Sequence, residues 1–150
     1  MAYNNILVAV DLTDEATEVL AAAKAVAEQQ PGAPKLSAVT VVQPLRNTYA
    51  GLDMAGVLAS APFEEQMRER AIESVRTLAE EFGIAVSDTH VASGRPATEI
   101  RAAAEQLKAD LIVIGTHGRH GIGLLLGSTA NGVLHGVSCD VLVVKIHPEE

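Results

Sequence analysis

Leu111-Ile-Val-Ile-Gly115-Thr-His-Gly118-Arg119-His-Gly-Ile-Gly-Leu-Leu-Leu-Gly127-Ser128 is the stretch on which the reading of this chain turns. Four apolar residues without polar alternation, Leu111 to Ile114, read as a strand buried on both faces, the habit of a parallel sheet. A glycine-punctuated loop follows, and from Thr129 to His135 the residues suit a short helix. Strand, loop and helix in that order put the loop at a strand's carboxyl end, where open α/β sheets usually bind ligands. Glycines there let backbone N–H groups approach an anion with no side chain in between. The stretch implies an α/β fold and, as a first functional expectation, a phosphate-bearing ligand.

Upstream, Ile6 to Val10 repeats the pattern of a strand buried on both faces, with Asp11 at its carboxyl end. Thr13 and Asp14 are N-cap residue types, and Ala16, Val19, Leu20, Ala23, Val26 and Ala27 recur at helical spacing to about Gln30. Pro31-Gly-Ala-Pro34 stops that helix, and Leu36 to Val42 is the next buried strand, which completes a right-handed βαβ unit. Pro44 to Pro62 has mixed polarity and reads as an irregular connection with at most a helical turn. Phe63 to Phe82 is a helix with Met67, Ala71, Ile72, Val75, Leu78, Ala79 and Phe82 inside, a charged outer face and Gly83 placed to end it.

Ala85 to Ala92 is a third strand, interrupted by Ser87, Asp88 and His90, which suits a sheet edge and leaves His90 facing the surface. Pro96 suits a first helical position, and Ile100, Ala103, Ala104 and Leu107 form the next helical face. Val141 to Ile146 is the last strand. The alternation predicts one doubly wound α/β domain, a mostly parallel five-stranded sheet in the order 3-2-1-4-5 with helices on both faces. Its switch point falls between the first and fourth strands, so Asp11 and the glycine loop share one end of the sheet.

Composition narrows the function. A chain of 150 residues fits a single domain, large enough to bury roughly 68–70% of the surface of its unfolded form. Although 48% of residues are hydrophobic, no run approaches the ~20 apolar residues of a membrane span, and the opening residues lack the basic stretch of a signal peptide. A soluble, cytoplasmic protein without membrane insertion is expected. Cys139 is the only cysteine, which excludes an intramolecular disulfide and suits a small apolar position before the last strand. A net charge of −8 and only 3% aromatic residues leave neither a basic stripe nor stacking platforms, so nucleic acid is not an expected partner.

The loop is not a Walker A sequence, because no lysine follows its glycines, and it is not a dinucleotide fingerprint, because Gly121-x-Gly123 lacks the third glycine. What remains is a split nest: Gly115 and Gly118 make a first turn, and Gly127, Ser128 and Thr129 form the mouth of a helix. The helix dipole at that mouth favours an anion by about 0.3–1 kcal/mol, and up to ~2 kcal/mol when partly buried. His117, Arg119 and His120 add donors in an otherwise acidic chain. His117 and His120 have no third ligand nearby, so no metal site is expected. The glycines also have a plainer use, a sharp loop returning the chain to the sheet. Asp11 likewise has two readings: it closes the strand-to-helix turn, or it accepts from a ribose hydroxyl or an adenine amino group. No general base, lysine or carboxylate cluster accompanies the loop, so no catalytic residue is assigned and hydrolysis is at most slow.

Several of these stretches together resemble the universal stress protein family, over nearly the whole chain. They are Ile6-Leu-Val-Ala-Val-Asp11, Val91-Ala-Ser-Gly94-Arg-Pro96, Asp110-Leu-Ile-Val-Ile-Gly115-Thr-His-Gly118-Arg, Gly127-Ser128 and Cys139-Asp-Val-Leu-Val-Val144. The opening Met-Ala-Tyr is similar to the universal stress protein A branch. The resemblance implies a stress-associated regulatory homodimer paired through Val141 to Ile146, with a protein partner still to be identified. In nucleotide-binding members a Gly-x2-Gly-x9-Gly-(Ser/Thr) pattern holds the phosphates of ATP, bound with magnesium. The resemblance thereby assigns Gly115, Gly118, Gly127 and Ser128 to phosphate, and Ala9, Asp11 and Val41 to the nucleoside. Here eight residues, not nine, separate Gly118 from Gly127, a change that moves a backbone donor by up to ~3.3–3.6 Å. The universal stress protein A branch lacks the motif, so the alternative is a dimeric stress or interaction protein that binds no nucleotide.

Overall fold

The computed structural model describes residues 2–43, 54–116 and 127–146, with backbone alone over 54–61. The connection 44–53 and the loop residues His117, Gly118 and Arg119 lie outside the described residues. The elements run β1 (Asn5–Ala9), α1 (Ala16–Glu28), β2 (Lys35–Val42), α2 (Met54–Glu81), β3 (Thr89–Ser93), α3 (Pro96–Gln106), β4 (Leu111–Gly115), α4 (Ser128–Gly136) and β5 (Asp140–Val144). The five strands are all parallel, in the expected order β3-β2-β1-β4-β5. Ala9 pairs with Val39 on one side and Ile114 on the other, so β1 is the central strand, and the direction in which strands are added to the sheet reverses between β1 and β4.

Alternation along the central strands explains why both faces carry helices. Ile6, Val8, Leu111 and Val113 point to one side, where Leu20 and Ala23 of α1 and Val75 and Ala79 of α2 cover them. Leu7, Ala9, Ile112 and Ile114 point to the other, against Ile100 and Ala104 of α3 and Ala130 and Val133 of α4. A strand so enclosed has no polar face, and each buried Leu, Ile or Val side chain contributes about 1.5–3 kcal/mol. The start of the central pair is pinned by Asp110, whose carboxylate accepts from the amides of Asn4 (2.8 Å) and Asn5 (3.0 Å). Beside it, the Tyr3 hydroxyl donates to Asp140 at 2.8 Å, a bond that raises the phenol above its ordinary pKa.

The chain departs from its sequence pattern in four places. The second helix starts at Met54 rather than Phe63 and contains Pro62. A proline removes one N–H from the helix, and the Met, Ala and Leu residues ahead of it are good helix formers. Met67 is 45% exposed, whereas Ala71, Val75 and Ala79 are buried, so the inner stripe begins one turn later than the apolar pattern suggests. Before β3, Val86–Asp88 forms a 3₁₀ turn, closed by the Asp88 amide on Ala85 O at 2.9 Å, and the strand is only five residues long. Finally, His90 is half-buried, pairs in register with the core residue Val39, and its Nε2 is buried with no partner among the described residues. Cys139 is half-buried against the α3 and α4 side of the core, and desolvation pushes its thiol up from the ordinary value.

Two helices end in the same cap with different residues. After α2 the Ile84 amide bonds Ala79 O (2.9 Å) and the Gly83 amide bonds Glu80 O (3.0 Å), with Gly83 at φ +79°. After α3 the Ala109 amide bonds Ala104 O (2.9 Å) and the Lys108 amide bonds Glu105 O (3.2 Å), but here Lys108 takes the left-handed position, at φ 55°. Both are Schellman motifs, and glycine is the residue that enters them without a steric penalty. Lys108→Gly is therefore expected to stabilise the protein by about 0.5–1 kcal/mol, the ~1–2 kcal/mol left-handed penalty less glycine's extra chain entropy. Urea unfolding of the two proteins checks it.

Candidate functional site

The carboxyl ends of β1 and β4 open the crevice to which the switch point leads. On the β1 side, Ala9 is buried and Val10 continues the ladder through its amide to Val39 O at 2.9 Å. The chain then leaves the sheet at Asp11, which is exposed. Asp11 Oδ1 accepts from the Thr13 hydroxyl at 2.7 Å, and the same hydroxyl lies close to Glu15 Oε2. One proton serves one carboxylate at a time, so the turn into α1 holds two acidic groups around a single donor. The local role of Asp11 in the turn is thus present, though made through the Thr13 side chain. Its Oδ2 makes no hydrogen bond among the described residues. On the far side, β2 runs three residues past its last pair with β1, which brings half-buried Val41 to the same end of the sheet.

On the β4 side the chain leaves at Gly115 and Thr116 and returns at Gly127, where α4 begins. Gly115 is tightly enclosed: a Cβ there would lie 3.2 Å from both Ile146 Cδ1 and Val19 Cγ2. Gly127 is the N-cap of α4, in an extended conformation (φ −62°, ψ 156°), and it has no side chain with which to cap the helix. The first intrahelical bond is from the Asn131 amide to Gly127 O, 2.9 Å. The amides of Ser128, Thr129 and Ala130 therefore have no acceptor within the helix.

The electrostatics of the helix starts differ. Glu18 lies in the first turn of α1 and Glu99 in that of α3, where a carboxylate opposes the positive end of the dipole. The first turn of α4 has no acidic residue. Its positive end faces the crevice without a charge of its own to offset it.

Of the residues expected at the site, Ala9, Asp11, Val41, Gly115, Gly127, Ser128 and Thr129 gather at this end of the sheet, with Ser128 exposed and Thr129 half-buried. No group of three or more His, Cys, Asp or Glu suited to a metal occurs among the described residues. Beside the site, the structure brings out one supporting residue that the sequence pattern did not single out, Thr116. Its carbonyl accepts the Gly127 amide, its own amide donates to Val144 O at 2.9 Å, and its Oγ1 accepts from the Ile146 amide at 3.1 Å. A threonine one residue beyond a strand end was the available signal, but its partners lie up to 30 residues away.

A doubly wound sheet whose switch point lies between β1 and β4, with an uncapped helix start beside the strand ends, defines the class: a single-domain α/β protein of the doubly wound type. Comparison with known proteins narrows the class to one family. The family model described as the universal stress protein family matches residues 2–145, and the chain belongs to that family. It is 34% identical over 144 residues to universal stress protein A homolog 1 of Coxiella burnetii (strain RSA 493 / Nine Mile phase I), covering 96% of this chain and 97% of that one. It is 43% identical over 91 residues to universal stress protein A homolog 2 of the same organism, a match that spans 61% of this chain and 62% of the relative. Among solved structures, universal stress protein UspA from Lactobacillus plantarum is similar with a TM-score of 0.77 at 26% identity, covering 96% of this chain and 99% of that one. A universal stress protein in complex with cAMP shares the fold with a TM-score of 0.59 at 24% identity, covering 96% and 98%. Among the described residues, no helix is long and apolar enough to cross a membrane.

Proposed function

We propose that this chain is a cytoplasmic, stress-associated regulatory protein that binds ATP with magnesium in the crevice between β1 and β4 and acts as a homodimer. The observation that carries the reading is the start of α4: three amides without intrahelical acceptors, no capping side chain and no acidic residue in the first turn. A polyphosphate supplies the anion that this turn lacks. Ser128 and Thr129 offer hydroxyls beside the same amides, and Arg119 and His117 belong to the same loop sequence. Ala9, Asp11 and Val41, across the switch point, are assigned to the nucleoside, with Asp11 Oδ2, which has no partner among the described residues, as an acceptor for a ribose hydroxyl. The complex of a family member with cAMP supports a phosphorylated nucleoside as the ligand class.

Dimerisation is assigned to β5 and the residues after it, 141–146. This edge strand leaves one row of backbone groups without a neighbouring strand among the described residues, and Leu142 on it is 37% exposed. The chain is proposed to act by binding and not by catalysis, with ATP turnover at most slow.

Two observations favour the second reading, a dimer that binds no nucleotide. The Gly127 amide is already committed to Thr116 O, and the loop is one residue shorter than the family's ATP pattern. A calorimetric titration of nucleotide-stripped protein with magnesium ATP separates the two. Saturable binding near micromolar, about −8 kcal/mol, is expected. No heat up to millimolar ATP overturns the nucleotide reading and leaves the interaction protein.

A further inference from the structure

At the end of β4 a side chain takes over the work of the backbone. The β4–β5 ladder is regular from Leu111 paired with Asp140 to Gly115 paired with Val144. One residue on, the Thr116 carbonyl turns away to the Gly127 amide at the start of α4. The next amide of the β5 tail, that of Ile146, is met instead by Thr116 Oγ1 at 3.1 Å. Ile146 is itself only 2% exposed, packed against Gly115 and into the core with Val19, so this tail is built into the molecule. Thr116 thus touches both the helix mouth that faces the crevice and the tail of the edge strand.

We infer that Thr116 is a positioning residue that couples occupancy of the crevice to the pairing edge formed by β5 and its tail, so that ATP binding and dimer formation strengthen each other. This rests on the function proposed above and adds the residue that joins its two parts. A ligand held by the amides of α4 holds Gly127, and through Gly127 the Thr116 peptide. With Thr116 fixed, its hydroxyl stays aligned on the Ile146 amide and the edge is already ordered when a second copy pairs with it. The ordering is done once for both events, which is the condition for positive cooperativity. Linkage then requires the dimer to bind ATP more tightly than the monomer by the same factor.

The test measures the dimer dissociation constant by analytical ultracentrifugation with and without saturating magnesium ATP, and ATP affinity by calorimetry on the same preparations. Wild type is compared with Thr116→Val, which keeps the shape and the backbone bonds but loses the acceptor for the Ile146 amide, and with Thr116→Ser, which keeps the hydroxyl. In wild type, ATP is expected to tighten the dimer about tenfold, within the usual range of coupling. In Thr116→Val, ATP still binds but the tightening falls below about twofold, and Thr116→Ser retains most of it. Equal tightening in wild type and Thr116→Val overturns the inference, as does ATP binding with no change in the dimer, or a chain that stays monomeric with ATP bound. Failure of wild type to bind ATP is read separately, in the calorimeter, and removes the proposed function together with the coupling built on it.

Discussion

Gly127→Asp is expected to lower ATP affinity at least 100-fold while leaving the fold as stable as before, or slightly more so. Gly127 is the N-cap of α4 with an extended backbone at φ −62°, which any L-residue adopts without strain. Aspartate is among the preferred N-cap residues, because its carboxylate accepts from the N–H two or three positions on. In this helix those donors are the amides of Thr129 and Ala130, the groups assigned to phosphate. The substitution therefore supplies the helix with a tethered anion and excludes the mobile one. A 100-fold loss corresponds to about 2.7 kcal/mol, whereas the helix gains a few tenths of a kcal/mol over glycine at the cap. Calorimetry with magnesium ATP and thermal melting by circular dichroism read the two effects apart. A variant that binds ATP as wild type does shows that phosphate is not held at α4.

The largest loss of stability is expected from Gly132→Val, about 2–3 kcal/mol. Gly132 lies where α4 crosses α3, and a Cβ there would stand 2.8 Å from the Cβ of Ala97. A methyl group cannot rotate aside, so the two helices must separate. Arg101 marks how close they are, donating from Nη1 to Gly132 O at 3.0 Å. Opposing this, glycine in a helix interior costs roughly 0.5–1 kcal/mol relative to alanine, so replacing it returns part of that. Overpacking of this kind costs about 1–3 kcal/mol, and valine, with essentially one χ1 rotamer in a helix, falls at the upper end. The clash outweighs the propensity. Urea unfolding should show a lower midpoint with an unchanged slope, and Ala97→Gly in the same chain should recover part of the loss. A neutral Gly132→Val would mean that α3 and α4 do not approach at this residue.

The sheet was legible because its central strands have no polar face. Ile6 to Val10 and Leu111 to Ile114 are continuous apolar runs, which a parallel sheet covered on both sides accommodates. Where sequence and structure part, a local signal competed with a longer-range one. Pro62 reads as a break, yet α2 passes through it because the residues on either side favour helix. Met67 fits the apolar period but lies beyond the part of the helix that the sheet covers, and is exposed. At the site, Gly127 and the turn after it were readable from glycine chemistry and the approach of a helix. Thr116 was not, since what distinguishes it is a hydrogen bond to the Ile146 amide that exists only once β5 has docked.

The position of β1 also bears on how the molecule is made. This strand pairs with β2 some 30 residues on, and with β4 only after residue 111. During synthesis from the N-terminus, β1 to β3 can come together while the other side of β1, lined by Leu7 and Ala9 on one face and Ile6 and Val8 on the other, still has no neighbour. That nascent half-sheet has an open central edge of apolar residues until β4 leaves the ribosome, and non-local parallel pairing of this kind is slow to form. The sheet centre that is best protected in the finished protein is thus, while the chain is being translated, its most aggregation-prone part.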